Sequence, residues 1–276
     1  MALQGILYLC ATPIGNLEDM TFRAIRILRE VNVIAAEDTR RTRKLLTHFD
    51  IHTPLIRFDE NCKATVAEKI LQRLLAGESV AIVSDAGLPA ISDPGADLVR
   101  LALDAGITVC PIPGANAALS ALICSGLDTT KFLFAGFAPK TKKNRREFLQ
   151  KLSAVEATII FYEAPHRLKN FLEELAEIFG ERQAVLAREL TKVHEEFLRG
   201  KISELIENLG EPRGEFVVVV EGNKFSETPP EENISEVVEK FLAAGLDKKS
   251  AMREAAKKFN VSRREIYNAL IKEDVQ

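Results

Sequence analysis

The sequence predicts two α/β domains followed by a small helical one, on three observations. From residue 6 to residue 110, short apolar runs closed by Gly, Pro or Asp alternate with helix-patterned stretches. That is the pattern of a parallel sheet covered by helices. Beyond residue 132 the strands come closer together with fewer helices between them, which suggests a mixed sheet. A polar stretch over 225–233 with Pro229-Pro230 then reads as a linker, and 234–273 is helical in pattern throughout. The boundaries read as 1–112 and 113–224 for the α/β domains, 225–233 for the linker and 234–276 for the helical domain.

The first half justifies itself element by element. Residues 6–11 are a short apolar run suited to a buried strand, broken by Thr12-Pro13-Ile14-Gly15-Asn16. A helix over 21–30 takes its apolar positions from Phe22, Ile25, Ile27 and Leu28. The strand 33–36 ends at Glu37-Asp38, and the helix 39–49 carries Arg40, Arg41, Arg43 and Lys44. A strand-like 54–58 precedes a helix 64–75, which Gly77 stops. Strand 79–83 opens a loop from Ser84 to Gly95, helix 96–104 follows, and strand 107–110 leads into Pro111-Ile112-Pro113-Gly114-Ala115-Asn116-Ala117 and a small-residue helix through Ile123.

The loop after strand 79–83 organises the chain. Its glycines and prolines make it rigid and backbone-exposing at the carboxyl end of a strand, where open α/β sheets bind ligands. No lysine or arginine lies between Arg73 and Arg100, whereas Asp85 and Asp93 are present. A polyphosphate would want cations here, so the favoured ligand part bears hydroxyls or positive charge. Asp93 reads as an N-cap with Pro94 at the first helical position, and Asp85 as a ligand contact. Gly114 permits close backbone approach, and the helix start after it suits a carboxylate. Three such loops point to one shared pocket drawing on Pro13, Asp85, Ala86, Gly87 and Ser92, with Pro113, Gly114, Ala115, Asn116 and Ala117 at the third loop.

In the second half, strand 132–137 precedes the basic cluster Lys140, Lys142, Lys143, Arg145 and Arg146. Strand 158–162 ends in Glu163-Ala164-Pro165-His166-Arg167, and helix 168–179 is closed by Gly180. Strands 184–190 and 195–199 flank Thr191-Lys192-Val193-His194, and helix 202–209 and strand 216–220 complete the domain. In the tail, Asp247 caps a helix bearing Ala251, Met252, Ala255, Ala256 and Phe259 on one face. Ser262-Arg263-Arg264-Glu265 reads as a capping box, and the short turn before it gives a helix-turn-helix look. Lys240 to Lys272 holds nine basic and three acidic residues, in a chain whose net charge is −3.

Several classes are excluded. At 46% hydrophobic and 28% charged residues the chain is globular and soluble, and the acidic balance speaks against wholesale coating of nucleic acid. Cys10, Cys62, Cys110 and Cys124 show no ligand spacing and read as reduced, mostly buried thiols of a cytosolic protein. The first basic residue, Arg23, lies beyond the apolar run 6–11, so no ordinary signal peptide is expected, and no run is long enough to span a membrane. His48 and His52 have metal-like spacing, but Pro54 and the strand after it put His52 in a loop, so they need not share a helical face and no metal site is expected. Dinucleotide, P-loop and hydrolase motifs are absent.

The segments Ala11–Asp19, Ala36–Arg40, Ser84–Gly87, Ile91–Gly95, Phe161–Arg167 and Ala187–Lys192 together resemble one family, ribosomal RNA small subunit methyltransferase I, within the tetrapyrrole methylase superfamily. The resemblance runs over roughly 7–222, and the tail also fits. Two positions depart from the family's pattern: Leu88-Pro89 where Thr-Pro is usual, and Asp59 where His is frequent. The resemblance implies two α/β domains of the tetrapyrrole methylase type holding S-adenosylmethionine in their cleft. It also implies a cytoplasmic homodimer that 2′-O-methylates a cytidine ribose in 16S rRNA of the small ribosomal subunit, without metal or membrane. That donor carries a ribose, a sulfonium and an ammonium but no phosphate, as the aspartate-bearing loop would prefer.

Methyl transfer is largely a matter of alignment, and a ribose hydroxyl reacts as it loses its proton, so a base or a cation helps. Candidates are Glu37, Asp38, Glu60, Glu163, Glu189 and Lys192; Glu163 and Glu60 gain weight by following strands, and the sequence does not choose between them. RNA contacts are expected from Arg40, Arg41, Arg43 and Lys44, from Lys142, Lys143 and Arg145, and from Arg263 and Arg264. The alternatives are a small-molecule methylase of the same fold, which the basic clusters disfavour, and a non-catalytic RNA-binding protein, which the three loops disfavour.

Overall fold

Val33–Ala36 (β2) and Val80–Val83 (β4) are buried at every position, and this sets the architecture of the first half. A strand with no exposed face needs cover on both sides. Ile34, Ala36, Ala81 and Val83 face one way, against Ala24, Ile27 and Leu28 of α1 (Phe22–Glu30) and Leu46 of α2 (Thr39–His48). Val33, Ala35, Val80 and Ile82 face the other way, against Ile70 and Leu74 of α3 (Lys63–Leu75) and Leu98 and Ala102 of α4 (Gly95–Asp104). With β1 (Ile6–Cys10), β3 (Leu55–Arg57) and β5 (Thr108–Ile112), these strands make an all-parallel sheet of order β3-β2-β4-β1-β5. Thr21 caps α1, its hydroxyl accepting from the Ala24 N–H at 3.1 Å. Phe22, expected on the inward face, is 93% exposed instead, because as the first helical residue it lies beyond the reach of the sheet.

The second sheet is mixed, as the crowding of strands predicts. Its order is β6 (Phe132–Phe137), β7 (Thr158–Glu163), β10 (Phe216–Val220), β8 (Gln183–Arg188), β9 (Glu196–Lys201). Only β6 and β7 run parallel; β10 runs antiparallel to both of its neighbours. Phe216, Val218 and Val220 pack with α6 (Lys142–Leu152), α7 (Pro165–Phe179) and α8 (Ile202–Glu207). Val217 and Val219 pack on the other face with Ala118, Ala121 and Leu122 of α5 (Ala117–Ser125), and with Ile14 and Leu190 from loops. Each buried aliphatic contributes about 1.5–3 kcal/mol.

The protein is seen in a computed structural model that describes residues 5–60, 62–91, 95–224 and 234–259, with 266 and 270. By contacts the chain divides into two units, Met1–Asn223 and Lys224–Gln276. In the second unit, α9 (Ile234–Ala243) and α10 (Lys248–Lys258) share a small core of Val237, Val238, Ala251, Met252 and Ala255 with Ile266. Asp247 opens α10; a hydrogen bond with the Ser250 side chain, with others to the Lys249 and Ser250 backbone, holds its carboxyl below the usual range. The expected linker 225–233, the Asp93 cap, and the capping box with Arg263 and Arg264 lie outside the described residues. Of the four cysteines only Cys10 is buried, contrary to the expectation of mostly buried thiols; Cys124 is exposed and the other two half-buried. Among the described residues no helix is long and apolar enough to cross a membrane.

Candidate active site

The carboxyl ends of β1, β2, β4 and β5 carry the loops that matter, as the parallel sheet requires. The β1 and β4 loops are stitched together. Thr12 N–H donates to the Gly87 carbonyl at 2.9 Å and Gly87 N–H returns to Thr12 O at 3.0 Å. The Thr12 hydroxyl adds a bond to Ser84 O at 3.1 Å. Gly87 sits at φ +81°, a left-handed conformation that glycine adopts at little cost. Gly114 in the β5 loop is a spacer: a Cβ there would come 2.7 Å from the Ala11 Cβ. Ala90, Glu189 and Thr191 hold positive φ without being glycine, so the β4 loop and the turn after β8 both carry backbone strain of about 1–3 kcal/mol per residue.

A cavity of about 400 Å³ lies where these loops meet the second sheet. Its apolar lining includes Ile14, Leu88, Ile91, Tyr162, Phe216 and Val217. Among the described residues its charged lining is four carboxylates, Glu37, Asp85, Glu163 and Glu215, against one cation, Arg41. A second cavity of about 340 Å³ shares Ile14, Arg41, Asp85, Ala86 and Glu215 with the first and continues past Thr12, Pro13, Lys44 and Lys192.

Glu163, the last residue of β7, has a side chain with no solvent exposure. Its Oε1 accepts from the Ala164 N–H at 2.9 Å and lies 3.2 Å from Arg167 Nε. Its Oε2 is buried without a hydrogen-bond partner. Burial pushes its pKa above the ordinary carboxylate range, although the Ala164 N–H, Arg167, Arg145 and His166 all pull it down. Glu37 is likewise raised, by desolvation first and by the neighbouring Asp85. Asp85 accepts from the Asp38 N–H at 3.0 Å and pairs with Arg41 at 3.3 Å. Lys192 is held between Glu189 and Glu215, each at 2.9 Å. Desolvation lowers its pKa, but hydrogen bonds to those two carboxylates outweigh this and keep the ammonium above the usual lysine range.

The donor-site residues expected from sequence divide. Asp85, Ala86, Gly87, Asn116 and Ala117 line the first cavity, and Pro13 lines only the second. Pro113, Gly114 and Ala115 line neither; Gly114 works by bringing the β5 loop against Ala11. Ser92 lies outside the described residues. Of the catalytic candidates, Glu37 and Glu163 line the first cavity and Lys192 the second. Glu60 is exposed and lines neither. Asp38 caps α2 through the Arg40 N–H at 2.8 Å, which leads the interactions holding its carboxyl below the usual range.

Arg40, Arg41, Arg43 and Lys44 are exposed on α2, and Lys142 and Lys143 are exposed at the start of α6. Arg145 is a correction. It is buried, and its guanidinium grips both oxygens of Glu174 at 2.8 and 2.7 Å, which leaves it unable to reach RNA. Sequence reasoning missed Glu215, Tyr162 and Phe216; a carboxylate immediately before an apolar strand is the only signal Glu215 carries. Among the described residues no cluster of three or more potential ligands could hold a metal.

Comparison with known proteins decides the lineage. Residues 6–206 match the Tetrapyrrole (Corrin/Porphyrin) Methylases. Over 272 residues the chain is 51% identical to ribosomal RNA small subunit methyltransferase I of Halalkalibacterium halodurans, covering 96% of this chain and 94% of that one. The chain belongs to the ribosomal RNA small subunit methyltransferase I family of tetrapyrrole methylases. The protein of that name from Bacillus subtilis is 50% identical over 273 residues, with 96% and 94% of the two chains covered. A solved relative of the same fold is uroporphyrin-III C-methyltransferase from Thermus thermophilus complexed with S-adenosylhomocysteine. It is 18% identical, with a TM-score of 0.57 over 79% of this chain and 97% of that one. Asp59, one of the two departures from the family's pattern, is engaged in structure. Its carboxylate accepts from Arg57, and also from the Cys62 N–H at 3.2 Å. The Cys62 side chain leads the interactions that hold its pKa at about 2.

Proposed function

We propose that this chain transfers a methyl group from S-adenosylmethionine to the 2′-hydroxyl of a cytidine ribose in 16S rRNA of the small ribosomal subunit. The observation that carries the reading is the near end-to-end identity with the ribosomal RNA small subunit methyltransferases I. The first cavity fits the donor. It has the volume of a nucleoside-sized site and apolar walls, and carboxylates outnumber cations in its lining. When bound, S-adenosylmethionine supplies an electrophilic methyl on a sulfonium. Asp85, Gly87, Asn116 and Ala117 are the residues assigned to hold it. The buried Oε2 of Glu163 is assigned to take the proton of the ribose hydroxyl, and burial, by raising the carboxyl above its ordinary range, makes it the stronger base. Lys192, held protonated, serves as a cation and not as a base. We also assign Arg40, Arg41, Arg43 and Lys44 of α2, Lys142 and Lys143 at the start of α6, and the basic tail to RNA docking, place the protein in the cytoplasm as a homodimer, and divide Met1–Asn223 between its two sheets at residue 112.

The test is incubation with labelled S-adenosylmethionine and small ribosomal subunits lacking the mark. Label in the cytidine ribose of 16S rRNA supports the reading, and none in rRNA ends it. Asp85→Ala is expected to weaken donor binding in calorimetry. It also costs about 1 kcal/mol of stability through the lost bond to the Asp38 N–H. An unchanged donor Kd removes Asp85 from the site. Truncation after Glu227 is expected to weaken subunit binding most at low salt and to leave donor binding intact. Each lost phosphate contact flattens the slope of log affinity against log salt by roughly 0.7–0.9. The same affinity and slope without the tail would exclude it from docking.

A further inference from the structure

We infer that the second cavity is the phosphodiester subsite of the acceptor strand, in which Arg41, Lys44 and Lys192 hold the backbone phosphates next to the methylated nucleotide. The inference rests on the proposed rRNA methylation and adds where the strand enters. The sign of the lining reverses across the wall that the cavities share. The first cavity has four carboxylates and one cation. Among the described residues the second has three cations and two carboxylates, Asp85 and Glu215, each of which already faces a cation. A cationic donor is favoured in the first and an anionic ligand in the second.

The three cations reach that lining from different parts of the fold. Arg41 and Lys44 lie three apart on α2, on neighbouring faces of successive turns. Lys192 comes from the turn after β8, in the second sheet's half of the chain. Lys44 has no side-chain partner among the described residues, so its ammonium needs no bond broken before it meets a phosphate. Arg41 and Lys192 are paired only with carboxylates, which a phosphate can replace as acceptor. The threonine hydroxyls of this lining have their protons engaged elsewhere: Thr12 Oγ1 donates to Ser84 O, and Thr42 Oγ1 to Asp38 O, both at 3.1 Å. Among the described residues no aromatic ring lines this cavity, so they offer a base nothing to stack on. The chemistry left is recognition of phosphate by charge, with the base held elsewhere.

The test uses the full chain, unmarked small ribosomal subunits and labelled S-adenosylmethionine, with Lys44→Glu, Lys44→Arg and, as a control on the exposed end of α6, Lys151→Glu. For Lys44→Glu the expected result is a KM for the subunit raised about tenfold or more, with kcat within about twofold and an unchanged donor Kd. The dependence of log kcat/KM on log salt should also be shallower by about one contact's worth, roughly 0.7–0.9. Lys44→Arg should restore the wild-type KM, and Lys151→Glu should leave it unchanged. Equal subunit KM and equal salt slope for wild type and Lys44→Glu overturn the subsite, as does a weakened donor Kd with an unchanged subunit KM. If wild type labels no rRNA at all, it is the proposed function that has failed, and the subsite falls with it.

Discussion

Glu163→Gln is expected to lower kcat by about a hundredfold or more while changing donor Kd little, because removal of a positioned base typically costs two to four orders of magnitude. The amide keeps the volume of the carboxyl. Its oxygen can still accept from the Ala164 N–H, now at 2.9 Å. What disappears is the basicity of Oε2, the one oxygen of Glu163 without a partner. The pH profile gives a second readout. A base works deprotonated, so wild-type kcat should fall as pH drops through a value above the ordinary carboxylate range, since burial raises this group. That acidic limb should vanish in the Gln variant. A loss of less than about tenfold would falsify the assignment.

Glu174→Ala is expected to be the most destabilising single change to the second sheet's half of the chain. The side chains of Arg145 and Glu174 are only 10% and 9% exposed, and two hydrogen bonds join them. Removing one partner leaves the other charge buried and uncompensated, which costs about 3–5 kcal/mol. In a unit of this size that lowers Tm by roughly 10 °C. The hydrogen bonds from Arg145 lead the interactions that hold Glu174 below the usual carboxylate range. A depressed carboxylate stabilises the fold fully above its unfolded pKa, and that stability is lost as pH falls through the folded value. The wild type should therefore lose this increment under acid, and the Ala variant should have none to lose. The double variant Arg145→Met, Glu174→Leu should recover most of the stability, and RNA binding should be unaffected by it. A cost below about 1 kcal/mol in thermal denaturation would mean that the pair does not behave as buried.

The strand-and-helix alternation and the loops at strand ends were readable because apolar runs and glycine–proline breaks are local signals. Position across a sheet is not local. Glu60 and Glu163 both follow short apolar runs, yet β3 is the edge strand, three places from β1, and the residues beyond it miss the cavities. β7 is an inner strand, and its end opens into the first cavity. Glu215 escaped notice because β10 is antiparallel: its first residue, Phe216, lies beside Glu163 and Arg188 at the finish of β7 and β8. A search past the carboxyl ends of strands cannot find a residue that precedes one. Arg145 was legible after all. It lies four residues before Leu149 on α6, and both are buried, so helical spacing separates it from the exposed Lys143, although Lys142, seven residues before Leu149, shares that face and is exposed as the first residue of the helix.

In each sheet two strands are joined by a third that follows both of them in the chain. β4 lies between β1 and β2, which have no register with each other. β10 lies between β7 and β8 in the same way, although it is the last strand among the described residues. During synthesis β1 must therefore wait until residue 83 has emerged before it has any neighbour, and the second sheet stays split until residue 220. Glu215 and the loop beginning at Ser84 are adjacent in sequence to these two closing strands. A nascent chain interrupted before Phe216 thus carries two incomplete edges and no assembled cavity, and its β7 and β8 edges are open to pairing with other chains.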